Sequence, residues 1–328
     1  MGRFSHLATQ PERGPADMLK WKIAGKKDDP SEAPAIAIPP DFKVGTRAYD
    51  RSLVESGKAS LTWIGHASFL LVLGGLRILI DPILAPHMGL AVGPAKRLAP
   101  PGIPIEELAD IDVVLLTHNH RDHFDEWTLA RILAAHALDP AKRGKKTAPI
   151  RPRFVVPLGN GALLSKLGAG AIDEIDWWQT LRVGQVEITL VPSRHWSMRM
   201  PWDRNEALWG GFVIRGPEGA AYHSGDTGFF DDFTEIGRRF SPIDWAMLPV
   251  GAYSPRWFME PQHMNPEESA KAAEMLGAKH FVAMHWGTYK LTDEPLGEGP
   301  ERARVAFCKT PEDAPRFWCL DIGETRRL

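Results

Sequence analysis

Cysteine is nearly absent: Cys308 and Cys319 are the only two in 328 residues. They do not make a zinc-type Cys-x-x-Cys. One pair makes no disulfide framework either, which excludes a small disulfide-stapled secreted scaffold. Long apolar runs are lacking as well. No stretch approaches the roughly 20 residues needed to cross a bilayer. The longest apolar piece, Ser68 to Ile80, is interrupted by Gly74, Gly75 and Arg77 and reads as two buried strands around a Gly-Gly turn. Met1 to Gln10 carries no apolar segment of signal-peptide length, so the expected location is cytoplasmic. Charge of one sign is missing too. With 39 basic and 41 acidic residues the formal charge is −2, which argues against a nucleic-acid partner. Tyrosine is scarce, 4 against 12 tryptophans, so any aromatic groove for an apolar ligand would be built of indoles.

What remains suits a globular α/β chain. Residues 1–57, rich in Pro, Lys and Asp, are expected to form an arm packed on the body, and residues 58–328 a single domain. Short apolar strands are predicted at 61–64, 69–73, 77–80, 113–116, 153–156, 186–191, 208–214, 221–223, 245–250 and 281–284. Helices are predicted at 125–137, 161–167, 230–240 and 266–276. The last opens Asn265-Pro266-Glu267-Glu268, a cap residue followed by proline and acids at the positive helix end. Early strands come as hairpins and later ones alternate with helices, which predicts two mixed sheets packed face to face with helices outside. The run Lys142–Lys146 reads as a basic surface loop.

One segment carries chemistry. Val113-Val114-Leu115-Leu116 runs into Thr117-His118-Asn119-His120-Arg121-Asp122-His123. Four potential ligands in six residues at a strand end are costly to bury unless a cation pairs them. Imidazole and carboxylate donors suit zinc and leave iron and manganese open. His118 and His120, two apart, can share a face and grip one metal. Asp122 and His123, past the turn, can reach a second roughly 3.5–4 Å away. Three later polar residues also follow apolar strands: His195, Asp226 and His285. Asp81, which ends the strand at 77–80, and His66 are expected behind the ligands, where a carboxylate can fix a ligand histidine's tautomer. His223 is expected to be a packing or supporting residue.

The order His-x-His-x-Asp-His, His, Asp, His resembles the metallo-β-lactamase superfamily, which implies an αββα sandwich with the site along one edge. A narrower likeness is present as well. Trp63-Ile64-Gly65-His66-Ala67, Leu79-Ile80-Asp81-Pro82, Gly93-Pro94-Ala95-Lys96-Arg97, Ser224-Gly225-Asp226-Thr227-Gly228 and Met284-His285-Trp286-Gly287-Thr288 carry part of it. The most distinctive stretch is Gly251-Ala252-Tyr253-Ser254-Pro255-Arg256-Trp257-Phe258-Met259 with Gln262-His263. Together these look like the N-acylphosphatidylethanolamine-hydrolysing phospholipase D family, over a range from about Asp17 to Arg326. The resemblance implies two Zn²⁺, one held by His118, His120, His195 and Asp226, the other by Asp122, His123, His285 and the shared Asp226. It implies substrate contact at His263, and by position at Tyr253, Arg256 and Gln262. The family's aromatic residue between the second histidine and the aspartate is here Arg121, a planar charged fork suited to phosphate or carboxylate.

The expected reaction is attack of a metal-bridging hydroxide on a phosphodiester of that lipid class, with Asp122 orienting the nucleophile and His263 positioning the phosphate or serving the leaving group. The alternative is hydrolysis of a lactone, a β-lactam or another carbonyl substrate by the same metals. Leu19, Trp21 and Ile23 among Lys20 and Lys22 would give a peripheral contact with the inner membrane surface; packing of the arm on the body is the competing expectation. The family likeness also implies a homodimer.

Overall fold

The computed structural model describes residues 2–24, 36–39, 41–88, 95–138 and 152–328. Gly93, Pro94 and the basic run 142–146 lie outside them. Fourteen strands form the frame. In chain order they are β1 (Ser60–Gly65), β2 (Ser68–Leu73), β3 (Leu76–Ile80), β4 (Val113–Leu115), β5 (Arg153–Pro157), β6 (Ala171–Ile175), β7 (Thr180–Val183), β8 (Val186–Val191), β9 (Gly211–Gly216), β10 (Gly219–His223), β11 (Ile243–Pro249), β12 (Ala278–Met284), β13 (Phe317–Trp318) and β14 (Thr325–Arg327). They make two seven-stranded mixed sheets, ordered β14-β1-β2-β3-β4-β5-β6 and β13-β12-β11-β10-β9-β8-β7. A two-stranded ribbon, His87–Met88 with Ala95–Lys96, stands apart from them.

Both faces of the first sheet are buried. Leu61, Trp63, Phe69, Leu71, Ile78, Ile80, Val113 and Leu115 face the second sheet, where Ile188, Leu190, Phe212 and Tyr222 meet them. The alternate residues Ile64, Leu70, Val72, Leu79, Val114 and Phe154 form a second core with Leu129 and Ile132 of α3 (Glu126–Leu138) and Leu164 of α4 (Gly161–Lys166). This double burial makes the early strands read as continuous apolar runs rather than alternating ones. Outside the second sheet, α7 (Pro266–Met275) packs on β11 and β12, with α5 (Asp232–Phe240) and α8 (Glu298–Phe307) beside it. The start of α7 is a capping box: Asn265 accepts from the Glu268 N–H while Glu268 accepts from that of Asn265.

The structure amends the expected elements in places. The strand expected at 208–214 begins at 211. Leu208 and Trp209 are fully buried outside the ladder, and the Trp209 indole N–H is given to the Ser193 carbonyl. Strands β6 and β7 were not anticipated; both are half-exposed edge strands whose short apolar pattern is broken by charged residues. Helix α8, with Glu298 and Arg302 buried, hid behind its charges, and the short α2 (Arg51–Glu55) and α6 (Arg256–Met259) were not anticipated either.

In the N-terminal segment, α1 (Pro15–Ala24) turns Trp21 onto Phe258, ring centroids 5.2 Å apart, with its indole N–H on Asp293 at 2.6 Å. Trp21 therefore does not join the exposed Leu19 and Ile23 as a surface group. No helix among the described residues is long and apolar enough to cross a membrane.

Candidate metal centre

Strand ends and turns along one edge of the sandwich deliver the polar residues. Asp81 follows β3, His118 to His123 follow β4, His195 follows β8, Asp226 follows β10 and His285 follows β12. His66 sits in the β1–β2 turn. Three of these, His66, Asp81 and His285, have φ values of 56°, 41° and 60°, the left-handed region that side chains avoid. The fold therefore holds them against local preference, at about 1–2 kcal/mol each.

Eight side chains fall into two sets of four, the donor atoms of each set within 4.8 Å of one another. One set is His118, His120, His195 and Asp226; the other is His66, Asp122, His123 and His285. Asp226 links them. Its Oδ1 lies 3.2 Å from His123 Nε2 and 3.1 Å from His285 Nε2, while its Oδ2 lies 4.0 Å from His118 Nε2 and 3.9 Å from His195 Nε2. Asp122 Oδ2 lies 3.2 Å from His66 Nε2 and 3.5 Å from His285 Nε2.

Hydrogen bonds behind the rings decide which nitrogen faces inward. Asp81 Oδ2 accepts from His123 Nδ1 at 2.7 Å and from Thr117 Oγ1 at 2.6 Å. With that hydrogen committed, Thr117 Oγ1 accepts from His118 Nδ1 at 3.0 Å. His195 Nδ1 donates to the Gln262 carbonyl at 3.0 Å. These three rings therefore turn their Nε2 lone pairs toward the cluster. His118 Nε2 and His195 Nε2 both converge on His120 Nδ1, at 2.9 and 3.1 Å. A single proton on His120 Nδ1 cannot bond linearly to both, whereas a cation can be shared among all three rings. Asp226 Oδ1, His123 Nε2 and His285 Nε2 are buried and make no hydrogen bond. The donor set fits borderline divalent metals such as zinc.

Electrostatics agree. Burial pushes His118 well below its ordinary value, His120 to about 4 and His195 to about 3, so all are neutral, as ligands must be. Burial alone would raise Asp226, yet His123 and His285 hold it well below the carboxylate range. Burial would likewise lower His285, but Asp226 and Asp122 outweigh it and bring it to about 9. The two carboxylates draw positive charge to this half of the site, and a divalent cation supplies it.

The other expected site residues divide. His263 lies alongside, its Nδ1 4.0 Å from Asp226 Oδ2 and its ring 5.3 Å from that of His195. Gln262 turns inward: beyond its carbonyl on His195, its Oε1 accepts from the Trp196 indole at 2.7 Å. Tyr253 and Arg256 are placed away from the cluster. The Tyr253 hydroxyl is buried on Glu298, and Arg256 gives Nη1 to the His263 carbonyl at 2.9 Å and Nη2 to Glu268. A run of matching residues shows which loop they share but not which way each side chain turns. Arg256 braces His263 from behind. His223 donates Nε2–H to the Ala67 carbonyl and accepts at Nδ1 from the Gly225 N–H, so it steadies the turn before Asp226.

Sequence reasoning missed several supports. Thr117 is one; its place directly before His118 was a usable signal. Gln10 gives its side-chain amide to the His195 carbonyl. Arg199 clamps the His-x-His loop by donating to the Asn119 carbonyl at 3.0 Å and the Phe124 carbonyl at 2.8 Å. Both reach across the fold from distant segments, so local spacing holds no trace of them.

Comparison with known proteins places this geometry in context. The profile of the Beta-lactamase superfamily domain matches residues 76–286. An uncharacterised protein of Mycobacterium tuberculosis is 36% identical over 299 residues, 88% of this chain and 73% of that one. N-acyl-phosphatidylethanolamine-hydrolyzing phospholipase D 1 of Caenorhabditis elegans is 34% identical over 284 residues, covering 82% and 76%. The mitochondrial enzyme of the same description from Saccharomyces cerevisiae is 31% identical over 310 residues, covering 90% of this chain and 62% of its own length. Among solved structures, an isothiocyanate hydrolase from Delia radicum gut bacteria superposes with a TM-score of 0.63 at 21% identity, covering 82% and 98%. The metallo-beta-lactamase fold protein YhfI of Bacillus subtilis superposes with 0.56 at 15%, covering 81% and 98%. These two likenesses concern the fold.

Proposed function

The chain belongs to the metallo-β-lactamase superfamily and is a metal-dependent hydrolase, and on that premise we propose that it uses two zinc ions to cleave a phosphodiester of the N-acylphosphatidylethanolamine type. The observation that carries this reading is the two-set cluster joined by Asp226, whose two oxygens face opposite sets. The relatives named for that reaction, at 34% and 31% identity, support the choice of phosphorus over carbonyl carbon.

His118, His120, His195 and Asp226 would hold one ion; Asp122, His123, His285 and Asp226 would hold the other. Bound there, divalent ions acidify water and neutralise charge on phosphoryl oxygens. The chain's own groups do the rest. Asp122 accepts a proton from the attacking water at its carboxylate and fixes the water's direction. The new bond joins that oxygen to phosphorus, and the bond to the ethanolamine oxygen breaks. That oxygen takes up the proton Asp122 received and leaves as the N-acylethanolamine, with phosphatidic acid as the second product. His263, kept neutral by burial, donates a ring N–H to a phosphoryl oxygen. Trp196, its ring 4.4 Å from that of His120, walls off one side and excludes water.

The test is product analysis by mass spectrometry. Zinc-loaded protein is incubated with N-acylphosphatidylethanolamine in mixed micelles, beside a His118→Ala control. N-acylethanolamine and phosphatidic acid, lost in the control, support the reading. Intact lipid, with both metals verified in the protein, rejects it and turns attention to lactones and smaller esters.

A further inference from the structure

Arg121 stands between two members of the cluster, His120 and Asp122, on a half-buried stretch of the loop. Among the described residues no carboxylate pairs with it. Its one hydrogen bond runs from Nη2 to the Arg199 carbonyl, at 3.4 Å near the limit of such a contact. The arginines around it are engaged. Arg199 has Glu126 at 3.1 Å besides the two carbonyls it clamps. Arg204 has Glu12 at 3.3 Å and lies over the Trp196 ring at 4.0 Å. Trp196 in turn lies against His120, so these side chains surround one flank of the cluster. Unlike Arg199 and Arg204, Arg121 has no carboxylate partner among the described residues.

Arg121 is flanked in sequence by two residues of the cluster and paired with no carboxylate among the described residues, so its guanidinium is available to an anion that arrives with the ligand. The planar fork selects carboxylate or phosphate. We propose that Arg121 is a specificity residue that binds a second anionic group, a carboxylate or a phosphate, carried by the substrate beside the scissile phosphodiester. Both kinds of headgroup are cleaved, but a phosphodiester whose headgroup carries such an anion, an N-acylated amino acid or a phosphorylated polyol, is preferred over the neutral N-acylethanolamine headgroup of the reading above. This deepens the phosphodiesterase reading above and rests on it for the word scissile.

Matched ligands test it by titration calorimetry on the zinc-loaded full chain. Glycerophosphoserine is compared with glycerophosphoethanolamine, which lacks the carboxylate. Glycerophosphoinositol 4-phosphate is compared with glycerophosphoinositol, which lacks the extra phosphate. The acidic member of at least one pair is expected to bind about tenfold tighter, the size of one charge-assisted fork. In Arg121→Ala and Arg121→Gln the gap should shrink to within about twofold, with Arg121→Lys between, since a point charge lacks the fork. Zinc content equal to the parent's shows that the loop is intact in each variant; Arg121→Gln preserves the bulk if Arg121→Ala disturbs it. No discrimination in either pair, or a preference that both neutral variants keep, overturns the proposal. The outcomes separate cleanly. Discrimination without any phosphodiester cleavage leaves the anion site standing and removes the reaction, whereas cleavage without discrimination does the reverse.

Discussion

Asp81 Oδ2 accepts the Nδ1 hydrogen of His123 at 2.7 Å, with both side chains fully buried. The same oxygen takes the Thr117 hydroxyl hydrogen, and Asp81 Oδ1 takes the Thr117 N–H at 2.8 Å. One carboxylate thus orients His123 directly and His118 through Thr117, one histidine from each donor set. The link runs from strand end to strand end, since Asp81 closes β3 and Thr117 follows β4, the parallel neighbour of β3.

Asp81→Asn keeps the shape and can still receive one hydrogen bond, but it also presents an amide hydrogen toward a ring nitrogen. His123 is then free to adopt the wrong tautomer. Zinc affinity is expected to fall about 10- to 100-fold, the usual effect of losing such an outer partner. Competition with a chromophoric chelator measures it, and metal affinity equal to the parent's would refute this role. The isolated effect on folding should be smaller than that of Asp81→Ala, which leaves three donors without an acceptor.

His263→Ala separates binding of substrate from binding of metal. The side chain lies beside Asp226 and His195 but belongs to neither donor set. Turnover on the phosphodiester substrate is expected to drop by about 100-fold, at the low end of what a positioned donor contributes. Zinc content by atomic absorption should stay at the parent's value. Loss of zinc would make His263 a ligand, and full activity would remove it from the site.

All four tyrosines are shifted in one direction. Burial and the Glu107 carboxylate push Tyr49 up to about 12; burial raises Tyr222, Tyr253 and Tyr289 as well. Each phenol holds its proton more tightly in the fold than in the unfolded chain, where it titrates near 10. The resulting stabilisation is complete below about pH 10 and is lost as pH rises from there through the folded values. Phenolate absorbance near 295 nm should therefore stay low in the native protein at pH 10.5 and appear in step with unfolding at higher pH. A smooth titration of one or more tyrosines centred at pH 10, with the circular dichroism unchanged, would contradict it.

Seven of the eight residues of the two donor sets were legible in the sequence as candidate ligands because they sit where strands end; the eighth, His66 in the β1–β2 turn, was expected behind them. A run such as Val113–Leu116 commits the chain to the core, so the first polar groups after it surface together at one edge. Strand existence was legible for the same reason, while its face was not: Leu70 and Leu71 both disappear, into different cores. Edge strands such as Ala171–Ile175 lack that unbroken run, since Asp173 and Glu174 interrupt it. Arg256 shows a further limit. Its place in a distinctive motif pointed to the substrate, but its guanidinium reaches the His263 carbonyl and Glu268, a choice made by packing at long range.

Gly225 tests how tightly the two halves of the centre are coupled. It precedes Asp226 with φ +58°, and a Cβ there would lie 2.8 Å from Thr117 Cβ and 3.0 Å from the Gly210 carbonyl. Thr117 is the group that passes Asp81's hydrogen bond to His118. Gly225→Ala therefore presses on the Thr117 support and displaces Asp226, the residue that lies between the two donor sets, at once. Gly57 offers the control, with φ +72° and nothing within 4 Å of its added Cβ. Gly57→Ala should cost only the backbone term, about 1–2 kcal/mol. Gly225→Ala adds overpacking of about 1–3 kcal/mol. Urea midpoints of the two zinc-loaded variants should differ accordingly, and only Gly225→Ala should also lose zinc to a chelator faster than the parent. Equal midpoints and equal zinc retention would mean that the turn relaxes without touching Thr117, and the coupling of the two halves through this contact would fall.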